Sequence, residues 1–169
     1  ENGANVTATR CEFAYNDRSG VKCQDANTKA RLNVCTIHHN GRVGLNVNSG
    51  ASVAATQCDF MENDQSGVEC CGTDTKASLN DCTMHHNADA GLMVEANAVV
   101  DLHGTKTDIH SNNFGGIYAS NHAKVNIHLP SQHNTSHGNV DGDRVQEFGG
   151  SIANINADGT FTHVVVEEE

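Results

Sequence analysis

Large aromatic side chains are scarce in this sequence. None of its 169 residues is Trp, and aromatic residues make up only 4% of the chain. The hydrophobic content of 37% is also low for a globular core built around large side chains. A single proline, Pro130, argues against a Pro-rich disordered tail. The composition suits an elongated protein whose interior is a narrow column of Val, Ile, Leu, Ala and Cys.

Positive charge is scarce as well. Ten Lys and Arg oppose 21 Asp and Glu, which gives a formal net charge of −11. An acidic chain repels the phosphate backbone of nucleic acids and the surface of acidic membranes. No apolar run approaches the roughly 20 residues that a membrane-spanning helix needs. We therefore expect neither nucleic-acid binding nor membrane insertion, which leaves basic proteins, cations and neutral glycans as partners.

The seven cysteines are an odd number, so at least one thiol is free or pairs outside the chain. Unpaired cysteines favour an intracellular, reducing compartment, whereas N-x-[ST] sequons at Asn5 and Asn134 favour secretion. The sequence leaves the compartment open. Cys71 directly follows Cys70, which the repeat described below places in the interior. We therefore expect Cys71 to point outward and to be the most reactive thiol.

The strongest pattern is an internal duplication. Residues 4–50 align without gaps on residues 51–97, and about 25 of the 47 pairs are identical. Each half contains two copies of the template C-x-[apolar]-x-x-N-x-x-x-G-[VLI]-x-[small/apolar]. A fifth copy follows, in which Thr107 replaces the Cys. The template Asn recurs at spacings of 24, 23, 24 and 25 residues, as Asn16, Asn40, Asn63, Asn87 and Asn112.

The template alternates inward and outward residues with a period of two, which is typical of β-strands. Gly, Asn and Asp separate the strands and tolerate bends and left-handed backbone. A period of 23–25 residues is too short for repeats of paired helices, and the Leu-x-x-Leu-x-Leu frame of leucine-rich repeats is absent. The sequence therefore predicts an all-β, right-handed, single-stranded parallel β-helix. This solenoid has about 6–7 coils, stacked about 4.8 Å apart.

We expect a single domain over residues 1–169. Regular coils span 4–128, a degenerate coil and loop span 129–147, and terminal strands span 148–166. The degenerate coil keeps a trace of the template in Asn134, Gly138 and Val140. Because the apolar first coil needs a cap, we also expect a neighbouring domain or subunit before it. The chain would then be part of a larger assembly.

The recurring asparagines predict a ladder inside the solenoid. Their amides stack at the same bend of successive coils and hydrogen-bond to each other and to bend carbonyls. A second interior column is predicted from Cys11, Cys35, Cys58 and Cys82. Neighbours stacked about 4.8 Å apart exceed the Cβ separation of about 3.8 Å in a disulfide. We therefore expect free thiols in this column.

The template resembles the β-helix repeat of the pectate-lyase-like superfamily. It is most similar to the NosD-type and F-box-associated repeats, with their N-x-[IF]-x-x-N-x-x-x-G-[IV]-x-[IV] frame. Here Cys replaces the first Asn of that frame in four coils, and the resemblance covers roughly residues 4–128. It implies the fold but no single function, because the superfamily contains polysaccharide lyases, hydrolases and epimerases, phage tailspikes and modules that only bind.

One candidate site is the outward column of the G-[VLI] strand. In many members of the superfamily the corresponding sheet lines a glycan groove, so the resemblance implies a ligand-binding face here. Its residues are Lys22, Asn46, Glu69, Met93 and Tyr118. Paired carboxylates for hydrolysis are not evident in this column. It offers one Tyr, and the low aromatic content of the chain argues against sugar stacking. A rim just after the Asn bend is predicted to be solvated or to contact a protein partner, and consists of Arg18, Arg42, Gln65 and Asp89.

The H-H-N element gives a second candidate site. His39, Glu62 and His86 fall in one column of adjacent coils, and two imidazoles with a carboxylate are ligands for zinc or another divalent ion. His39 and His86 would lie nearly 10 Å apart, however, which is too far for one ion without bending. The alternative is a charge-complementary surface ladder produced by the duplication.

Together these patterns predict a non-catalytic recognition or scaffold module that binds a protein or a glycan along one lateral face. One alternative is a polyuronide lyase or epimerase, which requires a cluster of carboxylate, Arg and Lys side chains in one groove. The other is a metal-binding or purely structural subunit. We expect no resident cofactor, and zinc or calcium are the ions that the metal alternative allows.

Overall fold

A computed structural model describes residues 3–128, 135–156 and 158–162. Coils 1 to 3 contain β1 (Asn5–Thr9), β2 (Glu12–Ala14), β3 (Val21–Gln24), β4 (Lys29–Asn33), β5 (Thr36–His38), β6 (Leu45–Asn48), β7 (Ser52–Thr56), β8 (Asp59–Met61) and β9 (Val68–Cys71). Coils 4 to 6 contain β10 (Lys76–Asn80), β11 (Thr83–His85), β12 (Leu92–Glu95), β13 (Val99–His103), β14 (Asp108–His110), β15 (Gly115–Ala119), β16 (Lys124–His128), β17 (Ser136–His137) and β18 (Gly142–Gln146).

Each coil contributes one strand to each of three sheets. The first strands of the coils form sheet A, the second strands form sheet B, and the third strands form sheet C. All pairings between coils are parallel and in register, as in Phe13↔Ile37 and Ile37↔Phe60. This architecture confirms the predicted all-β parallel solenoid. Within the described ranges, no helix is long and apolar enough to cross a membrane.

The last described strands extend sheet A. β19 (Ser151–Ile155) pairs in parallel with β16 and begins a seventh coil, and β20 (Phe161–Thr162) pairs antiparallel with β19. The predicted terminal strands are thus present in part, and residues 163–166 lie outside the described residues. β17 and β18 place the segment predicted as a degenerate coil in sheets B and C.

Residues in left-handed backbone lie at the corners of the coils. Between sheets B and C one such residue directly precedes the ladder Asn, and the corner residues are Tyr15, His39, Glu62, His86 and Ser111. Left-handed backbone is uncommon outside glycine. The interstrand hydrogen bonds on both sides fix it here, as in His39 N–H to Glu62 O at 3.0 Å. The corners hold these side chains in one outward column.

The Asn ladder is confirmed. Asn40 Nδ2 donates to Asn63 Oδ1 at 2.9 Å, Asn63 Nδ2 donates to Asn87 Oδ1 at 3.0 Å, and the same bond recurs along the solenoid. Asn139, which sequence reasoning missed, continues the ladder in coil 6 by accepting from Asn112 Nδ2 at 2.9 Å. Asn134, predicted for this role, lies outside the described residues.

The template glycine leaves room for the ladder. A Cβ on Gly67 would lie 2.8 Å from Asn87 Nδ2 and 2.9 Å from the carbonyl oxygen of Gly91. Such distances are too short for any side chain, so the Gly of each template allows the backbone of sheet C to approach the amide of the next coil.

The interior is a column of small and aliphatic side chains, as the composition predicts. All seven cysteines are free thiols, and Cys35, Cys58 and Cys82 are buried in the predicted stack. Cys71 is half-buried, and burial raises the pKa of its thiol. The exposed thiol is Cys11. The structure thus places Cys11 in a more exposed position than Cys71, and the reactivity of Cys71 stays a prediction.

Coil 1 leaves apolar surface open. Val6 is 56% exposed, whereas its register neighbours in the inner coils, such as Ala30 and Val53, are buried. Phe13 and Val21 are only partly buried against the core. This surface is the one that the expected cap would cover, and the cap itself stays a prediction.

Candidate functional site

The predicted ligand-binding column runs along the outer face of sheet C. Its five residues are register neighbours on β3, β6, β9, β12 and β15, and they are Lys22, Asn46, Glu69, Met93 and Tyr118. Neighbouring coils lie about 4.8 Å apart, so the column is about 19 Å long. That length presents an extended surface rather than a single point of contact.

A cleft of about 380 Å³ lies over the first half of this column. Its lining combines three column residues with side chains from the turns that join sheets B and C. The lining residues are Arg18, Ser19, Lys22, Arg42, Val43, Asn46, Gln65 and Glu69. The sequence predicts that Arg18, Arg42 and Gln65 lie in a rim that is separate from the column. The structure brings rim and column together on coils 1 to 3.

The Asn ladder explains this juxtaposition. Because Asn16 turns inward, the residues that follow it form an outward bend beside β3. Hydrogen bonds between coils hold successive bends in register: Gly41 N–H donates to Asn16 O at 2.8 Å, and Gly20 N–H donates to Val43 O at 3.1 Å. The bends thus form one wall of the cleft and sheet C forms its floor.

The cleft is locally cationic although the chain is acidic. Ion pairs within the described residues join His to Asp or Glu, and none involves Lys or Arg. The charges of Arg18, Lys22 and Arg42 are therefore not neutralised by a carboxylate in contact. The expectation that partners are basic or neutral follows from the net charge of the whole chain, and it stays a prediction; the lining of this cleft has three cationic side chains and one carboxylate.

Glu69 is the carboxylate in the lining of the cleft. Asn46 Nδ2 donates to its Oε1 at 2.9 Å, and Asn48 Nδ2 donates to Asn46 Oδ1 at 2.6 Å. Burial raises the pKa of Glu69, and the bond from Asn46 opposes that effect. Glu95 raises this pKa further. This chain of bonds fixes the orientation of the Asn46 amide on the floor of the cleft.

Met93 and Tyr118 lie beyond the cleft on coils 4 and 5. The Tyr118 hydroxyl donates to Glu147 Oε2 at 2.6 Å, and this contact raises the pKa of the phenol. Phe114 lies beside the ring, with 5.7 Å between the ring centroids. This aromatic pair was not recognised in the sequence, because Phe114 belongs to the turn and not to the strand. A ligand that leaves the cleft along sheet C would meet it.

The predicted metal residues lie on the other side of the ladder, at the edge of sheet B. His39 Nε2 lies 2.7 Å from Glu62 Oε2, so these two side chains are in contact and form an ion pair when His39 is protonated. His86 contacts His85 instead. Within the described residues, no three His, Cys, Asp or Glu side chains are grouped to hold a metal ion. A site shared by His39, Glu62 and His86 stays a prediction.

Sheet B carries a ladder of imidazole–carboxylate pairs that connects adjacent coils. His38 Nε2 lies 2.7 Å from Glu12, His85 Nε2 lies 3.1 Å from Asp59, and a third pair joins His137 and Asp108 at 3.0 Å. Oδ1 of Asp59 and Oδ1 of Asp108, which face the histidines, are shielded from solvent. Their contacts with the imidazoles are charge contacts rather than well-directed hydrogen bonds. This ladder agrees with the alternative reading of the H-H-N element.

Comparison with known proteins concerns the fold. Residues 1–140 match the family model described as "Right handed beta helix region". No curated protein and no solved structure matches the chain. The match covers most of the chain and agrees with the three stacked parallel sheets. Because such folds carry many functions, the residues of the cleft are the basis for a functional argument.

Proposed function

The chain belongs to the right-handed β-helix family, and from its cleft we propose that it is a non-catalytic recognition module for an anionic glycan. The glycan lies along sheet C, over the cleft and the column that continues it. Its acidic groups contact Arg18, Lys22 and Arg42, and its hydroxyls contact the amides on the floor. A carboxylated or sulfated polysaccharide has this chemistry.

The observation that carries the proposal is a set of three cations in one cleft of a chain with a net charge of −11, none of them within ion-pair distance of a carboxylate of the described residues, although the charge of Lys22 acts on Glu69. Arginine recognises carboxylate and sulfate groups through two parallel hydrogen bonds, and lysine binds them as a point charge. An unpaired cation has no protein carboxylate to release before it binds a ligand. A cluster of this kind therefore favours an anionic ligand over a neutral one.

The neighbouring side chains favour a sugar over an apolar peptide. Asn46 and Gln65 offer donors and acceptors for hydroxyl groups, whereas Val43 is the single hydrophobic residue in the lining. A peptide anchor would need an apolar or aromatic pocket. Farther along the column, Tyr118 provides an aromatic face on which a sugar ring stacks.

The single carboxylate in the lining of the cleft supports binding without hydrolysis, since Glu95 and Asp89 act on Glu69 from outside the lining. Glycoside hydrolases use two carboxylates, which lie about 5–10 Å apart on the two sides of the scissile bond. Among the residues that line the cleft, Glu69 is the one with a carboxylate side chain. Glu69 is also engaged by Asn46, so it serves here to orient the floor.

A polyuronide lyase is the second candidate, because Lys22, Arg42 and Glu69 share one cleft. In β-elimination a base removes the proton from the carbon next to the uronate carboxylate, while a cation stabilises the negative charge. The bond to the leaving sugar oxygen then breaks, a carbon–carbon double bond forms, and the leaving oxygen takes a proton from solvent. Lys22 as base and Arg42 as the stabilising cation would be the minimal set for this reaction.

Calorimetric titration with a galacturonate oligomer and with a neutral glucan of equal length tests the proposal. We expect the acidic oligomer to bind and the neutral one to fail. Substitution of Arg18→Ala with Arg42→Ala should weaken binding by about 100-fold or more, since each charged hydrogen bond contributes about 1.5–3 kcal/mol and two are lost. The loss should shrink at high salt because screening weakens the contacts that were removed.

The matched control removes two charges from sheet A, by Lys76→Ala with Lys124→Ala. These exposed side chains lie on another face, so their loss should change the affinity by less than about twofold. Equal weakening by both double variants would show a non-specific charge effect and contradict the cleft. A rise in ultraviolet absorbance, from new double bonds, would replace the binding module by the lyase.

A further inference from the structure

Two pairs of adjacent histidines share one geometry on sheet B. In the first pair His38 Nδ1 lies 2.7 Å from His39 Nδ1, and in the second pair His85 Nδ1 lies 2.7 Å from His86 Nδ1. The ring planes cross at 82° and 84°. The duplication of the two-coil unit explains why the arrangement occurs twice, two coils apart.

Carboxylates lie at the opposite edge of three of these rings. His38 Nε2 is 2.7 Å from Glu12, His39 Nε2 is 2.7 Å from Glu62, and His85 Nε2 is 3.1 Å from Asp59. The contact of His38 with Glu12 has hydrogen-bond geometry, and a neutral imidazole that donates its Nε2–H to a carboxylate has its lone pair on Nδ1. The other two contacts are charge contacts. The same carboxylate contact orients histidines that bind metals and raises their basicity.

Two lone pairs at 2.7 Å repel each other unless a positive charge lies beside both. At the first pair two carboxylates, from Glu12 and Glu62, contact the two rings. Neutral rings would leave a local charge of −2. A divalent ion balances that charge, whereas one shared proton balances half of it.

We propose that each pair, His38–His39 and His85–His86, binds one divalent first-row transition-metal ion through its two Nδ1 atoms. Ions such as Ni²⁺, Cu²⁺ and Zn²⁺ favour imidazole nitrogen. Metal–nitrogen bonds of about 2.0–2.1 Å place two such ligands about 3 Å apart, so the 2.7 Å contacts open slightly on binding. Water completes the coordination, because the described residues supply no third converging ligand.

This assignment differs from a site shared between coils. Glu62 is a positioning residue for His39 and not a ligand, and the two sites are independent. The inference does not depend on glycan binding, because sheet B and the cleft on sheet C are separate faces.

Equilibrium dialysis of the tag-free, chelator-treated chain against NiCl₂ tests the proposal. We expect two ions per chain. His39→Gln or His86→Gln should each remove one ion, and the double variant should remove both. His103→Gln is the matched control, because His103 stacks on His128 on sheet A without belonging to either pair, and it should keep two ions. Circular dichroism checks that each variant keeps its strands.

Two outcomes overturn the proposal. The first is a single ion that either single variant abolishes, since this result requires one site shared by His39 and His86. The second is no bound nickel, together with nitrogen-15 spectra in which one Nδ1 of each pair is protonated. In that case a shared proton fills the space between the rings.

Discussion

Neighbouring groups shift the pKa values of His85 and His103 in opposite directions. Contact with the Asp59 carboxylate raises the pKa of His85, although burial of the ring opposes the effect. Burial lowers the pKa of His103, and the stacked His128 lowers it further. The two residues therefore make contributions of opposite sign to the dependence of stability on pH.

His85→Gln should destabilise the protein more at low pH than at high pH. A histidine whose folded pKa is raised stabilises the fold fully below its unfolded value of about 6.5. This contribution is lost as the pH rises through the folded value. Urea denaturation in EDTA at about pH 5.5 and about pH 8.5 should show a larger loss of unfolding free energy at the lower pH.

His103→Gln provides the opposing control. Because the folded pKa of His103 is lowered, the native protein loses stability as the pH falls below about 6.5. The glutamine variant lacks this titration, so the substitution should cost less at about pH 5.5 than at about pH 8.5. The same pH trend in both variants would show that these contacts do not govern the titration.

The ladder between sheets B and C is the structural element that the repeat depends on. Asn63 Oδ1 accepts from the side chain and the backbone N–H of Asn40, at 2.9 and 3.2 Å, and its Nδ2 donates to Asn87. Removing the amide leaves several buried polar groups without partners, and each costs about 1–3 kcal/mol. The ladder is therefore more sensitive to substitution than the outer columns are.

Asn63→Ala should lower the unfolding free energy by about 3–5 kcal/mol, as measured by urea denaturation. Asn16→Ala is the matched control at the exposed end of the ladder. Solvent replaces lost bonds there, so its cost should be about 1 kcal/mol. Equal losses of unfolding free energy in the two variants would show that burial does not determine how much the ladder contributes to stability.

The strand pattern could be predicted because each coil repeats at nearly constant length. The ladder in coil 6 escaped this reasoning, because Asn139 follows Asn112 by 27 residues, more than any spacing in the first five copies. The cleft was missed for another reason. Each outward column contains residues from one strand position only, whereas Arg18 and Arg42 lie in the bends before the strands. The direction of long side chains is not readable from spacing.

The net charge of −11 is a sum over three faces of the solenoid that carry different charged side chains. Sheet C carries the cationic cleft, sheet B carries the histidine–carboxylate ladder, and sheet A presents exposed lysines. A solenoid separates such faces because each sheet repeats its own outward positions. Function is therefore assigned to a face, and the average composition of the chain does not indicate the ligand.

The most direct test of the central claim is to map the glycan-binding face by NMR. A chain of 17.9 kDa, labelled with nitrogen-15, is titrated with the galacturonate oligomer at low salt and in EDTA. We expect the amides whose chemical shifts change to cluster at Arg18, Lys22, Arg42 and Glu69, and to extend along sheet C toward Tyr118. Shifts centred on sheet A or sheet B, or no shifts at all, would contradict it.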